Sequence, residues 1–201
     1  MRPRLAAWVR FALLILACAV AAVAGPVRAE LADVTMLRAE RTDEGVVLSA
    51  TLRFDLPTVI EDALAKGIPM FFVAGAALQR ERWYWYDRQV AQTVRHFRLS
   101  YQPLTRRWRL QVSAAPIGSS GLSLGQNFDT REEAVAAMQR ISNWKIAEST
   151  DVDPDSKHLV QFRFRLDVSQ LPRPFQIGAV GQSEWQISVA RSVRLPTEAA
   201  R

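Results

Sequence analysis

The strictest pattern in this sequence is an alternation of apolar and polar residues between positions 159 and 168. The apolar members are Val160, Phe162, Phe164, Leu166 and Val168, and the polar members between them are Gln161, Arg163, Arg165 and Asp167. Residues two apart in a β-strand point to the same face, so this pattern buries one face and leaves the other in water. The segment therefore predicts a core strand in which Phe162 and Phe164 point inward while Arg163 and Arg165 point outward.

The same period of two recurs along most of the chain. It is found in residues 46–56, 95–101, 107–114 and 185–195, and Arg191 interrupts the apolar face of the last segment. Residues 70–78 are almost entirely apolar, which predicts a central strand covered on both faces. The short stretch 102–106 predicts that the segments on either side of it form a hairpin.

Two other segments carry helix signals. Pro57 and Gly67 bracket residues 58–66, as is typical of the first turn and the end of a helix. Thr130 and Glu133 form a capping box in front of an apolar repeat with helical spacing. Both segments therefore predict short helices between strands.

The prolines near residue 170 predict a different kind of connection. Pro172 and Pro174 favour an extended path for residues 169–175 that crosses from one sheet to the other. Taken with the strand pattern, these signals predict a mainly β fold: a single antiparallel β-sandwich, immunoglobulin-like, with two short helices. An open α+β sheet is the alternative.

The N-terminal residues have the organisation of an export signal. A basic segment, Met1–Arg10, precedes a 14-residue apolar core, Phe11–Ala24, and residues 27–29 place small side chains for cleavage before Glu30. The predicted organisation is a cleaved signal peptide over 1–29 and one β-sandwich domain over 30–201, located in the periplasm. An uncleaved anchor and a lipoprotein modified at Cys18 are the alternatives.

The net charge of +6 is concentrated in this N-terminal segment. Its first 29 residues hold four arginines and no acidic residue, and the remainder has 22 basic and 20 acidic residues, a net charge of +2. Because the basic excess leaves with the predicted signal, composition does not indicate a nucleic-acid partner.

The residues that carry chemistry are few. One cysteine and two histidines exclude an intramolecular disulfide and leave little for a metal centre. Asp151, Asp153 and Asp155 have calcium-loop spacing but lack the glycine and the glutamate that complete such a loop. The sequence also lacks the glycine-flanked serine of hydrolases and the glycine patterns of nucleotide-binding loops. We therefore expect a protein that is not an enzyme and that has no metal and no cofactor.

One region combines aromatic rings with arginines. Trp83, Tyr84, Trp85 and Tyr86 are consecutive, and eight arginines lie between positions 80 and 109. Alternation places Arg98, Arg107 and Arg109 on the polar side of the predicted hairpin, where they favour a phosphate or carboxylate partner. These seven residues are the predicted ligand or partner surface. Core packing of the rings and a merely solvated arginine face are the alternatives.

Four stretches resemble a known family. They are LPTVIEDALAKGIP (56–69), RERWYWYDRQVA (80–91), RLSYQPLTRRWRL (98–110) and LDVSQLPRPFQI (166–177). Together they look like the bacterial secreted family catalogued as domain of unknown function 4390, also labelled proline-rich signal peptide proteins. The resemblance implies export and a shared fold, and it brings no activity, cofactor or catalytic residue. It also implies an association with genes for a membrane sensor kinase.

We therefore expect an exported, non-catalytic binding or interaction module of the cell envelope, accessory to a membrane sensor kinase. Its expected partner is an envelope protein or an anionic lipid surface, with no nucleic acid and no membrane span after signal cleavage. One alternative is a binder of a small anionic or sugar-like ligand at the aromatic and arginine residues. The other alternative is an unrecognised enzyme.

Overall fold

A computed structural model describes residues 32–81, 88–117, 124–154, 156–179 and 182–196. The strands are β1 (Ala32–Thr42), β2 (Gly45–Phe54), β3 (Met70–Arg80), β4 (Arg88–Gln102), β5 (Arg107–Ser113), β6 (Leu124–Phe128), β7 (Arg140–Glu148), β8 (His158–Leu166) and β9 (Ser188–Leu195). The helices are α1 (Thr58–Ala65), α2 (Arg131–Gln139) and α3 (Arg173–Ala179).

The strands form two antiparallel sheets. The smaller sheet has the order β1-β2-β7 and the larger has the order β6-β5-β4-β3-β8-β9. Phe54 of β2 joins them, with its ring 6.0 Å from that of Phe72 and 5.4 Å from that of Phe164 in the larger sheet. The mainly β, antiparallel two-sheet fold is thus confirmed, and its likeness to immunoglobulin domains stays a prediction.

The alternation in β8 has the predicted orientation. Phe162 and Phe164 are 1% and 0% exposed, whereas Arg163 and Arg165 are exposed. The β4–β5 hairpin also forms, with Gln102 paired to Arg107 across its turn. In β8 the period of two thus identifies which face of the strand enters the core.

The expectation that β3 is covered on both faces is wrong. Its even-numbered residues from Phe72 to Leu78 are buried, but Val73, Gly75 and Ala77 on the other face are only half-buried. Because these three side chains are small, little apolar surface meets water although the run contains no polar residue. One face of the central strand therefore lies open.

Helices α1 and α2 form where the sequence predicts them. In α2 the backbone N–H of Glu133 donates to Thr130 Oγ1 over 3.2 Å, and the Thr130 N–H donates to Glu133 Oε2 over 3.4 Å. The capping box is therefore present in both directions.

The prediction for residues 169–175 is wrong. The chain there enters helix α3 and returns to β9, next to β8 in the same sheet, instead of crossing to the other sheet. The N–H groups of Phe175 and Gln176 donate to the carbonyl of Pro172 and begin the helix. Pro174 lies in the first turn, where its missing N–H has no helical partner to lose.

A charged side chain links the outermost strands of the two sheets. Arg191 occupies an inward-facing position of β9, opposite Phe162 of β8. Its guanidinium donates to the carbonyl of Val34 in β1. The residue that interrupts the apolar pattern of the last strand therefore satisfies backbone across the sandwich.

The described residues belong to one compact unit, Leu31–Arg201. No helix within the described part of the chain is long and apolar enough to span a membrane. The predicted signal peptide, its cleavage site and Cys18 lie outside the described residues.

Candidate functional site

The outward side of the larger sheet carries a cluster of arginines, which we call the arginine face. Arg98 pairs with Gln111 across the hairpin, and Arg109 pairs with Ser100 two residues further along β4. Directly paired residues in antiparallel strands share a face. The predicted set of Arg98, Arg107 and Arg109 therefore shares one face of the sheet.

Strands β8 and β9 extend this face. The register of β3, β4 and β8 aligns Gly75 with Val94 on one side and with Arg163 on the other. The arginines of the face are Arg98, Arg107, Arg109, Arg163, Arg165 and Arg194. On the outward positions of the described strands of this sheet there is no aspartate or glutamate. The polar residues between the arginines are mainly amides: Gln79, Gln89, Gln92, Gln102, Gln111, Asn127 and Gln161.

Three of these arginines pair with acidic residues that lie just beyond the ends of the strands. The pairs are Arg107 with Asp129 at 3.3 Å, Arg165 with Asp167 at 3.6 Å, and Arg194 with Glu81 at 3.3 Å. Arg98, Arg109 and Arg163 form no ion pair with a carboxylate of the described residues. These three guanidinium groups therefore lack a charge partner within the described part of the chain.

Two of the unpaired arginines are held against the sheet. The Arg98 guanidinium lies 5.8 Å from the centre of the Phe71 ring, a cation–π contact. Arg109 lies across Gly125 of β6, where a Cβ atom would come 3.1 Å from its Nε. In both residues Nε is buried and has no hydrogen-bond partner among the described residues. Their positions are therefore fixed by packing, and not by pairing with an acid.

A groove of about 570 Å³ runs over the open face of β3. Its floor includes Val73, Gly75 and Ala77, and Arg163 and Arg165 of β8 line one side. Gln92 and Val94 of β4 line the opposite side. The volume falls within the range of about 300–1,000 Å³ that is typical of small-molecule sites.

His96 and Asp167 neighbour residues that line the groove: His96 pairs with Val73 across β3 and β4, and Asp167 forms an ion pair with Arg165. Burial lowers the pKa of His96, Asp167 opposes that shift and Arg165 adds to it. Burial raises the pKa of Asp167, but hydrogen bonds from Gln170 and Ser169, together with Arg165, outweigh burial and leave the pKa below its usual value.

Asp167 accepts from Ser169 Oγ at 2.7 Å and from Gln170 Nε2 at 2.8 Å. His96 Nδ1 is buried, and no partner for it exists among the described residues. The histidine, the carboxylate and the hydroxyl therefore do not form the connected chain that activates a serine nucleophile.

The second histidine, His158, is buried and contacts Ser156 and Arg41. His158 is 1% exposed, its Nδ1–H donates to the Ser156 carbonyl over 2.9 Å, and Arg41 Nη2 lies 3.5 Å from that nitrogen. Burial lowers its pKa, the bond to Ser156 raises it, and Arg41 and Arg80 lower it again. In the described structure His158 Nε2 has no hydrogen-bond partner, so the ring holds no nucleophile.

Two of the aspartates with calcium-loop spacing, Asp151 and Asp153, have partners within the protein. Asp151 Oδ2 accepts from the N–H of Glu148 over 3.1 Å, and Asp153 pairs with Arg80 at 3.4 Å. Asp155 lies outside the described residues. Across the described ranges, no group of three or more histidine, cysteine, aspartate or glutamate side chains is placed to hold a metal ion.

Sequence reasoning found part of this site. It placed Arg163 and Arg165 on the outside of β8 but did not join them to the hairpin arginines, because strand order is not written in the alternation. It also missed the groove, whose signal is the small size of Gly75 and Ala77 within an apolar strand. Trp83, Tyr84, Trp85 and Tyr86 connect β3 to β4 and lie outside the described residues, so their predicted role stays a prediction.

The chain is thus a mainly β protein of two antiparallel sheets with an arginine-rich outer face. A family model described as Domain of unknown function (DUF4390) matches residues 29–194, and the chain belongs to that family. Neither the curated proteins nor the solved structures contain a match. Function has therefore to be argued from the site.

Proposed function

We propose that this protein is an exported, non-catalytic binding module of the cell envelope whose arginine face binds an anionic partner. The observation that carries the proposal is the absence of acidic residues from the outward positions of the described strands of a sheet that presents six arginines. Like charges on neighbouring strands repel each other, so the folded domain gains nothing by collecting them. An anionic partner turns this repulsion into affinity.

The placement of the unpaired arginines supports the proposal. Arg98 and Arg109 are held by Phe71 and Gly125, and neither forms an ion pair with a carboxylate of the described residues, so within that part of the chain their charge is available at a defined position. A guanidinium that is already held in place loses less freedom when a carboxylate or phosphate binds to it in bidentate fashion.

The expected location agrees with such a role. The basic segment, the apolar core and the small residues before Glu30 favour export to the periplasm, with lipid attachment at Cys18 as the alternative. In that compartment, anionic partners include lipid headgroups and acidic segments of envelope proteins. The association implied by the family resemblance suggests that a sensor kinase is served by this binding.

Salt-dependent retention tests the proposal. The purified protein is applied at low salt to a sulfonate cation-exchange resin and to phosphatidylglycerol vesicles, and is then released by a salt gradient. We expect retention of the wild type on at least one anionic surface, since exposed charges are screened over about 8–10 Å near physiological ionic strength. The triple variant Arg98→Gln, Arg109→Gln, Arg163→Gln should pass through unretained.

A second triple variant controls for net charge. Arg38→Gln, Arg53→Gln, Arg140→Gln removes the same charge from the outward side of the smaller sheet. We expect it to elute with the wild type. Equal elution of both triple variants, or no retention of the wild type at low salt, would overturn the proposal.

A further inference from the structure

We propose that the groove over β3 binds a linear chain of acidic sugars. The inference rests on the proposed function and deepens it, because it names a substrate class for the arginine face.

The floor of the groove contains a glycine that the fold does not require. A Cβ atom built at Gly75 would have nothing within 4 Å, and the residue has no positive φ. Glycine in the interior of a strand weakens it, and often marks a place where a ligand approaches closely. Neither packing nor backbone conformation requires a glycine at position 75. We therefore attribute the glycine to a ligand that needs the depth it gives the groove.

One wall supplies positive charge. Arg163 and Arg165 are successive outward residues of β8, about 7 Å apart along the strand, and both side chains are exposed. Arg163 has no ion pair among the described residues, and Arg165 forms an ion pair with Asp167. Two guanidinium groups in a row fit carboxylates that repeat along a chain.

Amides supply most of the remaining polar contacts. Gln161 Nε2 donates to Gln79 Oε1 over 2.8 Å, and Gln89 Nε2 donates to Gln92 Oε1 over 2.8 Å. Each amide has both a donor and an acceptor group, so each pair keeps hydrogen-bonding atoms that it does not use internally. Sugar hydroxyls are donors and acceptors at once, and they match such groups.

The floor between these walls is apolar. Val73 and Ala77 contribute hydrocarbon at half-buried positions, and Val94 adds to it from the β4 side. The C–H faces of a sugar ring remove such surface from water without leaving a polar group unpaired. The apolar floor, the amides and the arginines together recognise three different parts of an acidic sugar.

A lipid surface fits the groove less well. A bilayer is broad, whereas Arg163 and Arg165 line a concave site. The large apolar residues that are exposed in the described structure are Met36, Leu104, Leu124 and Ile177, and none occupies an outward position on the strands of this face. No described side chain of the face is therefore suited to insertion between lipids.

An extended peptide also fits less well. Peptides usually join a sheet at an edge, where backbone N–H and C=O groups are free. The groove lies over β3, whose backbone is paired to β4 on one side and to β8 on the other. A peptide lying there would have its own backbone groups without ladder partners.

Titration with a short oligogalacturonate tests the inference, with the uncharged methyl ester of the same chain as the control probe. We expect the acid to bind at low salt and the ester to bind at least about tenfold more weakly. Gly75→Trp fills the groove without changing charge, and it should weaken oligogalacturonate binding by at least about tenfold. It should leave retention on the sulfonate resin or on phosphatidylglycerol vesicles intact, since Arg98 and Arg109 remain.

Thr51→Trp, on the outward side of β2, is the matched control and should bind like the wild type. Gly75→Gln introduces a smaller obstruction and serves if the tryptophan variant fails to fold. Unchanged oligogalacturonate binding in a folded Gly75 variant, or equal binding of acid and ester, would overturn the inference while the proposed function stands. Tighter binding of oligoglutamate than of oligogalacturonate would replace the glycan by an acidic peptide. Loss of retention on every anionic surface would overturn the proposed function itself.

Discussion

The outward sides of the two sheets differ in where the acidic residues lie relative to the basic ones. On the smaller sheet three basic residues pair with acids of the same sheet: Arg38 with Glu40, Arg53 with Asp33 and Lys145 with Glu148. On the larger sheet the arginines share their face with amides and small residues, and the acids that pair with three of them lie beyond the strands. An arginine-rich composition supplies both faces with arginine, but it does not explain why the described strands of only one sheet also carry acids.

The difference has a modest energetic meaning. Exposed ion pairs contribute about 0–1 kcal/mol each, so the smaller sheet gains little from its pairs. The arginine face has no such pair within the described residues at Arg98, Arg109 and Arg163, and it adds repulsion between neighbouring strands. The arginine face thus slightly disfavours folding, whereas the outward side of the smaller sheet slightly favours it. Such a difference is expected when the arginine face binds a partner.

The largest expected effect concerns the core that both faces share. Phe164 is fully buried and its ring stacks on Phe54 and Phe72, 5.4 Å and 5.6 Å away. Phe164→Ala should lower the free energy of unfolding by about 3–5 kcal/mol. Arg163→Ala, the neighbouring position on the outward side, should change it by less than about 0.5 kcal/mol. Urea unfolding measures both, and equal losses would show that the two sides of β8 do not differ as described.

The next effect concerns Asp167, the one buried carboxylate among the described residues. Asp167→Ala removes the acceptor of bonds from Ser169 and Gln170 and should cost about 1.5–3 kcal/mol in unfolding free energy. Asp33→Ala, which breaks an exposed pair on the smaller sheet, should cost less than about 1 kcal/mol.

Because the folded pKa of Asp167 is lowered, the stability that it provides is present above its unfolded pKa, about 3.9, and disappears as the pH falls through the folded pKa. Asp167→Asn should therefore make the acid limb of the stability curve shallower. An unchanged acid limb would contradict the assigned role.

The two histidines predict a loss of stability at milder acidity. His96 and His158 both have a pKa below the ordinary 6.5, so below that pH the unfolded chain takes up protons before the folded one does. Unfolding free energy should be constant above about pH 7 and should fall between about pH 6.5 and pH 5.

His96→Gln, on the arginine face, should reduce this slope. The separate variant His158→Gln should reduce it more than His96→Gln does, although this variant is less stable throughout. Chemical denaturation at several pH values provides the measurement. A slope that is the same in both variants and in the wild type would refute the assignment.

The smallest expected effect is a difference in sign between the two faces. Arg163→Gln relieves repulsion on the arginine face and should raise the unfolding free energy by a few tenths of a kcal/mol. Arg53→Gln breaks the pair with Asp33, 3.8 Å away, and should lower it by about 0–1 kcal/mol. Thermal unfolding at low salt checks both changes. High salt should shrink both, because the charges are exposed.

Part of the fold could be predicted because several segments show, in their own sequence pattern, which residues are buried. The alternation in β8, the hairpin of β4 and β5, and the capping box of α2 are local patterns, and each is confirmed. Local patterns do not specify which strands become neighbours. The link between Arg163 and the hairpin arginines depends on β3 lying between β4 and β8, which is a property of the whole sheet.

The two wrong predictions have physical reasons of the same kind. The apolar run of β3 suggested burial on both faces, but Gly75 and Ala77 have too little side chain to require it. The prolines near residue 170 suggested an extended crossing, but Pro174 occurs within the first turn of α3, where a proline costs no helical bond. In both places the residue type restricts a structure without deciding it.

The inward-facing arginine of β9 has a consequence for behaviour at high concentration. β9 and β1 are each an outermost strand of their sheet, and an outermost strand offers backbone groups to which a second molecule can add a strand of its own. Arg191 places a charge on the side of β9 that faces the smaller sheet, where an added strand would need apolar contact, and its guanidinium is already engaged by the Val34 carbonyl. The edge is thus unattractive to other copies of the chain, and strand-by-strand aggregation along it is disfavoured.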